Sequence, residues 1–91
     1  MLFAWIGFIK RGAEMIPPDV NVQTSDFLQQ PFIRIHSGGP LCDEDQRRAG
    51  MLMIFEADDR TAAEALVADS PYQKAGLYER HHLYEYRNEV G

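Results

Sequence analysis

Hydrophobic residues in this chain fall into two unbroken runs and two alternating ones. Leu2 to Ile9 is apolar at both parities, rich in aromatic and branched side chains, and stops at Lys10-Arg11-Gly12. That pattern predicts a strand buried on both faces. Met51 to Phe55 has the same character and is closed by Glu56 and Asp58-Asp59. Phe32 to Ser37 alternates instead, with Ile33 and Ile35 on one face and Arg34 and His36 on the other. Tyr78 to Arg87 is also mixed, placing His81, Leu83 and Glu85 opposite Arg80, His82, Tyr84 and Tyr86. Two doubly buried strands therefore belong at the centre of a sheet and two mixed ones at its edges.

Helical segments fill the gaps. Asp19 to Gln30 follows Pro17-Pro18 and carries Val20, Val22, Phe27 and Leu28 before Pro31 breaks the chain. Asp59 to Ala68 has Asp58 or Asp59 as cap, a capping-box pattern at Thr61-Ala62-Ala63-Glu64, and an apolar stripe of Ala63, Leu66 and Val67. Residues 71–76 predict one more short turn ending at Gly76. The polar stretch Cys42 to Ala49 reads as the exposed loop of a hairpin; its acidic cluster lacks the spacing and glycine of an EF-hand. The order β-α-β-β-α-β defines an α+β, ferredoxin-like fold: a four-stranded antiparallel sheet with helices on one face. Two short helices cover one face, yet the central strands are apolar on both. A second copy of the same sheet is the simplest cover for the other, so a homodimer is expected.

Three stretches carry a family resemblance: Gly38-Gly39-Pro40-Leu41, Gly50 to Ala57, and Asp69 to Glu79 with its Ser70-Pro71-Tyr72. In order and spacing the chain resembles the YciI-like (YCII-related) family, most closely over residues 32–87. The resemblance implies a dimeric α+β barrel. It also implies a catalytic pair, a histidine on the first helix and the aspartate of an Asp-Pro-Tyr element, in which the carboxylate orients the imidazole for general-base work. Counting back from Gly39-Pro40, the histidine is due near Gln23, Thr24 or Ser25, and none of these is histidine. The aspartate position holds Ser70, with Asp69 one residue early, and Met51 stands where a hydroxyl-bearing residue often follows the glycine. The dyad is therefore not carried over to this chain.

Composition narrows the field. Ninety-one residues make one domain, spanning 1–91, and a net charge of -5 with scattered Lys and Arg argues against a nucleic-acid partner. The lone Cys42 permits no intrachain disulfide, and the acidic Asp43-Glu44-Asp45 beside it opposes thiolate formation. The apolar start lacks a preceding basic segment and a cleavage site, and falls far short of the ~20 residues of a membrane span. A cytoplasmic protein without a membrane partner is expected. No nucleotide, flavin or haem motif is present, and Gly38-Gly39-Pro40 does not open a helix, so no cofactor is expected.

Candidate chemistry centres on His36 as a catalytic base. Arg34 shares its strand face and could hold an anion, and Ser37 could donate a hydrogen bond beside glycines that allow close backbone approach. Asp69 and Tyr72 are further substrate-binding candidates. His81 and His82 point to opposite faces of a strand and cannot ligate one metal ion, so no metal site is expected, although one of them could join His36 of a partner subunit in a composite site. Trp5, Tyr72, Tyr78, Tyr84 and Tyr86 are packing residues or the walls of a cleft for a flat small molecule. Two functions stay open: a proton-transfer enzyme of isomerase, lyase or dehydrohalogenase type acting on a cyclic or carbonyl compound, or a non-catalytic ligand-binding or accessory protein.

Overall fold

Four strands and three helices follow one another as β1 (Leu2–Ile9), α1 (Pro18–Leu28), β2 (Arg34–Cys42), β3 (Arg48–Glu56), α2 (Arg60–Asp69), α3 (Pro71–Lys74) and β4 (Tyr78–Tyr86). The computed structural model describes residues 1–10, 18–30 and 33–90. Arg11-Gly12, Pro17, Pro31 and Phe32, which mark element boundaries in the sequence, lie outside the described residues. The strands form one sheet in the order β2-β3-β1-β4, with every neighbouring pair antiparallel. The doubly apolar strands are thus central, as their patterning requires.

Register divides the side chains cleanly. Phe3 pairs with Phe55 and Trp5 with Met53 on β3, and across the other flank Trp5 pairs with Leu83 and Gly7 with His81. These residues share the face that the helices cover. Phe3, Trp5, Phe55, Ala63, Val67, Tyr72 and Tyr78 are buried there in one cluster with Val20 of α1. Ala4, Ile6 and Phe8 of β1 and Leu52 and Ile54 of β3 occupy the opposite face, in line with His82, Tyr84 and Tyr86 of β4.

β2 departs from the expected outline. It continues through Gly38-Gly39-Pro40 to Cys42, past the end at Ser37 that the alternating pattern predicts. Pro40 is tolerated because β2 is an edge strand, where a missing N–H leaves no ladder partner unsatisfied. A bulge also falls at His36: Ile35 pairs with Phe55, but the next pair is Ser37 with Ile54. Two residues oppose one, so the alternation resets and Ser37 moves to the open face.

α2 is capped by Asp59, as expected, two residues before the Thr61 box. The Asp59 carboxylate accepts from the Ala62 N–H at 2.8 Å and takes the N-cap role. Thr61 is therefore already inside the helix, and Glu64 turns to Arg60 at 3.0 Å instead of reaching back. The short α3 stops at Gly76, whose φ of +68° a side chain would strain. None of the described helices is long and apolar enough to cross a membrane.

Candidate functional site

α1 and α3 do not close tightly over the sheet. Between them lies a cavity of about 210 Å³, floored by Trp5, Met51, Met53 and the backbone of Gly38-Gly39, and roofed by Thr24, Phe27 and Tyr72. Its walls follow from local structure. Trp5 sits on the helix-covered face of β1, and its ring lies over Gly7, where an added Cβ would run into the indole and come within 2.8 Å of Tyr78 Cδ1. Tyr78 meets the indole edge-on, with centroids 4.8 Å apart at 78°. Glycine at position 7 thus leaves room for two large aromatic rings side by side.

The residues around the cavity differ in how their polar atoms are partnered. The Tyr72 hydroxyl donates to Asn21 Oδ1 at 2.6 Å, tying α3 to α1. Burial pushes the Tyr78 phenol well above its ordinary range; nearby Tyr72 adds to the rise and Arg48 opposes it. Tyr78 is accordingly a neutral hydroxyl at physiological pH. By contrast, the buried Trp5 Nε1 and Thr24 Oγ1 have no hydrogen-bond partner among the described residues. Among the described residues that line the cavity, none is Asp, Glu, His, Lys or Arg.

The residues singled out in the sequence occupy three separate places. Tyr72 lines the cavity. Arg34 and Asp69 line a different, wide cleft of about 580 Å³ together with Glu56 and Asp58, and Asp69 stands 3.8 Å from Lys74 Nζ. Ser37 is exposed on the open face of the sheet. His36, at the bulge, places Nε2 3.4 Å from Glu56 Oε2, with its side chain 51% exposed. His81 faces the helices and contacts Gln73 at 3.1 Å, whereas His82 lies on the open face beside Tyr84. Trp5, Tyr72 and Tyr78 line the cavity, while Tyr84 and Tyr86 lie on the opposite side of the sheet.

A family model for the YCII-related domain matches residues 11–87. The chain belongs to the YCII-related family. Among solved structures, this YCII-related chain is similar to the 5-chloro-2-hydroxyhydroquinone dehydrochlorinase TftG of Burkholderia phenoliruptrix AC1100, in complex with 2,5-dihydroxybenzoquinone. Identity is 23%, the TM-score is 0.82, and the match covers 96% of this chain and 94% of that one. It is also similar to SnoaB, a cofactor-independent oxygenase of Streptomyces nogalater, at 20% identity and a TM-score of 0.56, over 98% and 94% of the two chains. These likenesses show the ferredoxin-like α+β fold of the YCII-related chain. A search of curated proteins finds no match.

Three cavity residues carried weak sequence signals, Ser70 among them at the position where the family aspartate is due. Thr24 stands within the stretch where the family histidine is due, and it reaches the cavity from α1. Trp5 was visible as the chain's one tryptophan in a doubly buried strand, where its N–H must find an acceptor. Met51 and Met53 gave no chemical signal, because methionines in an apolar strand look like ordinary core.

Proposed function

We propose that this YCII-related protein is a cytoplasmic homodimer that binds a planar small molecule in the cavity between its sheet and α1 and α3. The observation that carries this is the cavity itself: about 210 Å³, walled by aromatic, methionine and glycine residues, with Thr24 and Ser70 among its described lining residues. Apolar walls with a few placed polar groups are the usual make-up of a ligand site. A cavity of ~150 Å³ already accepts benzene, so this one has room for a substituted ring. The ring-bound relative TftG supports the same class of ligand.

A second reading, proton transfer at the same kind of ring, is favoured by the His36–Glu56 pair. An imidazole oriented by a carboxylate is suited to general-base work. In that reading His36 takes the proton, Arg34 and Ser37 hold a developing oxyanion, and Asp69 assists. Its difficulty is distance in the fold, because His36 and Ser37 lie on the face away from the cavity and require a partner subunit to complete the site.

Two-dimensional NMR titration of the labelled protein against phenols, quinones and lactone acids tests both. Saturable shifts at Trp5, Gly38, Gly39 and Tyr72 are expected. Turnover of a bound compound that His36→Ala abolishes, with those shifts retained, would select the enzyme. A library that leaves every cavity resonance unmoved would sink the small-molecule reading.

A further inference from the structure

α1 turns Val20, Thr24, Phe27 and Leu28 inward, at the i, i+4, i+7, i+8 spacing of one helix face. Phe27 does more than line the cavity. It also lines the neighbouring cleft of about 580 Å³, and among the described residues it is the one that the two spaces share. Elsewhere their walls alternate along common elements. Arg34 lines the cleft and Ile35 the cavity; Leu66 lines the cleft and Val67 the cavity; Asp69 lines the cleft and Ser70 the cavity. The two spaces therefore lie side by side, with Phe27 between them in the last turn of α1.

Volume gives that position its consequence. A cavity of ~150 Å³ holds one benzene ring, so two joined rings need about 300 Å³. The cavity offers about 210 Å³, which suffices for one substituted ring and not for two. The cleft beyond Phe27 is larger and continues the apolar lining through Ile33, Ala62, Ala65 and Leu66. A longer molecule could span both spaces if nothing stood at their boundary. Phe27 is half-buried and lies outside the buried cluster of the core, so its ring is a partition rather than a packing element of that cluster.

We infer that Phe27 sets the length limit of the site: its ring separates the cavity from the cleft and restricts the ligand to a single substituted ring. This rests on the small-molecule reading above and names both its ligand class and the residue that determines it. Monocyclic compounds with small substituents fit; biaryls do not.

The test is an NMR titration with 4-fluorophenol and 4-fluoro-4′-hydroxybiphenyl, one ring against two. The amides of Gly38 and Gly39 report on the cavity, and those of Ala62 and Ala65 on the cleft. In the wild type the phenol is expected to move the cavity amides saturably and the biaryl to leave them unmoved. In Phe27→Ala the biaryl should move both sets along one saturation curve, gaining at least about tenfold in affinity as its second ring is buried. The phenol should bind that variant about three- to tenfold more weakly, having lost a wall. Leu28→Ala is the control, because Leu28 lines the cavity alone; there the cleft amides should stay still with either probe. Should Phe27→Ala fail to fold, Phe27→Leu, apolar but without a ring, carries the same comparison. A biaryl that occupies the wild-type cavity as tightly as the phenol overturns the inference. So does a biaryl still excluded when the ring of Phe27 is gone, or one that spans both spaces in Leu28→Ala. Those three outcomes leave the small-molecule reading standing. Silence of the wild-type cavity amides toward the phenol overturns that reading and this inference together.

Discussion

Tyr78 is a phenol that the fold keeps protonated, because burial beside the Trp5 ring penalises the phenolate. In the unfolded chain a tyrosine loses its proton near ~10. Above that pH the folded state binds more protons than the unfolded one, so stability falls as pH rises; below it the two states match and Tyr78 adds no slope. The denaturation midpoint is therefore expected to be insensitive to Tyr78 at pH 7–9 and to drop above about 10, more steeply in the wild type than in Tyr78→Phe. Equal alkaline slopes in the two proteins would clear Tyr78 of this role. The same neighbourhood shows how far a site can be read from sequence. The aromatic residues were visible as cleft candidates, and Trp5, Tyr72 and Tyr78 do line one cavity. His36 and Ser37 were adjacent to the family motif in sequence, but strand alternation and a bulge set them on the far face. Neighbourhood along the chain is not neighbourhood across a sheet.

At the level of elements, α2 depends on its cap at Asp59, one of the two residues expected for that role. The Asp59 carboxylate receives the Ala62 N–H, and the Arg60 guanidinium both pairs with Glu64 and donates to the Leu83 carbonyl at 3.1 Å on edge strand β4. Asp59→Ala should cost about 1 kcal/mol in chemical denaturation, whereas Thr61→Ala, inside the helix, should cost no more than a few tenths. A larger loss from Thr61→Ala than from Asp59→Ala would restore the capping-box assignment. Existence and order of the elements were legible because hydrophobic period decides them: unbroken apolar runs for β1 and β3, a mixed sequence for β4, an i, i+4 pair at Ala63 and Val67 for α2. The end of β2 was not. Gly38-Gly39-Pro40 carries turn chemistry, yet an edge strand accepts it, and no local signal separates the two outcomes. The bulge at His36 is equally silent, since it depends on the register with β3 rather than on any residue type.

The whole molecule leaves one face of its sheet uncovered. Its helices cover one face of the sheet, and Ala4, Ile6, Phe8, Leu52 and Ile54 form an apolar stripe on the other. Polar edges flank that stripe: His82, Tyr84 and Tyr86 on β4, with Arg80 stacked 4.7 Å from the centre of the Phe8 ring. An apolar centre with an aromatic and basic rim has the layout of an interface, and a face-to-face two-fold pairing satisfies it with this sequence alone. In such a dimer each substitution is felt twice. Ile6→Asp would bury a charge in the pairing face of each copy, at a cost of at least ~2 kcal/mol per copy. Sedimentation of the wild type should give twice the 10.4 kDa chain at micromolar concentration, and Ile6→Asp should give the monomer or aggregate. A wild-type monomer would overturn the pairing and, with it, the proton-transfer reading, because His36 and Glu56 would then face open solvent with nothing to enclose a substrate. The cavity beneath α1 would survive that outcome, since every wall described for it comes from one chain.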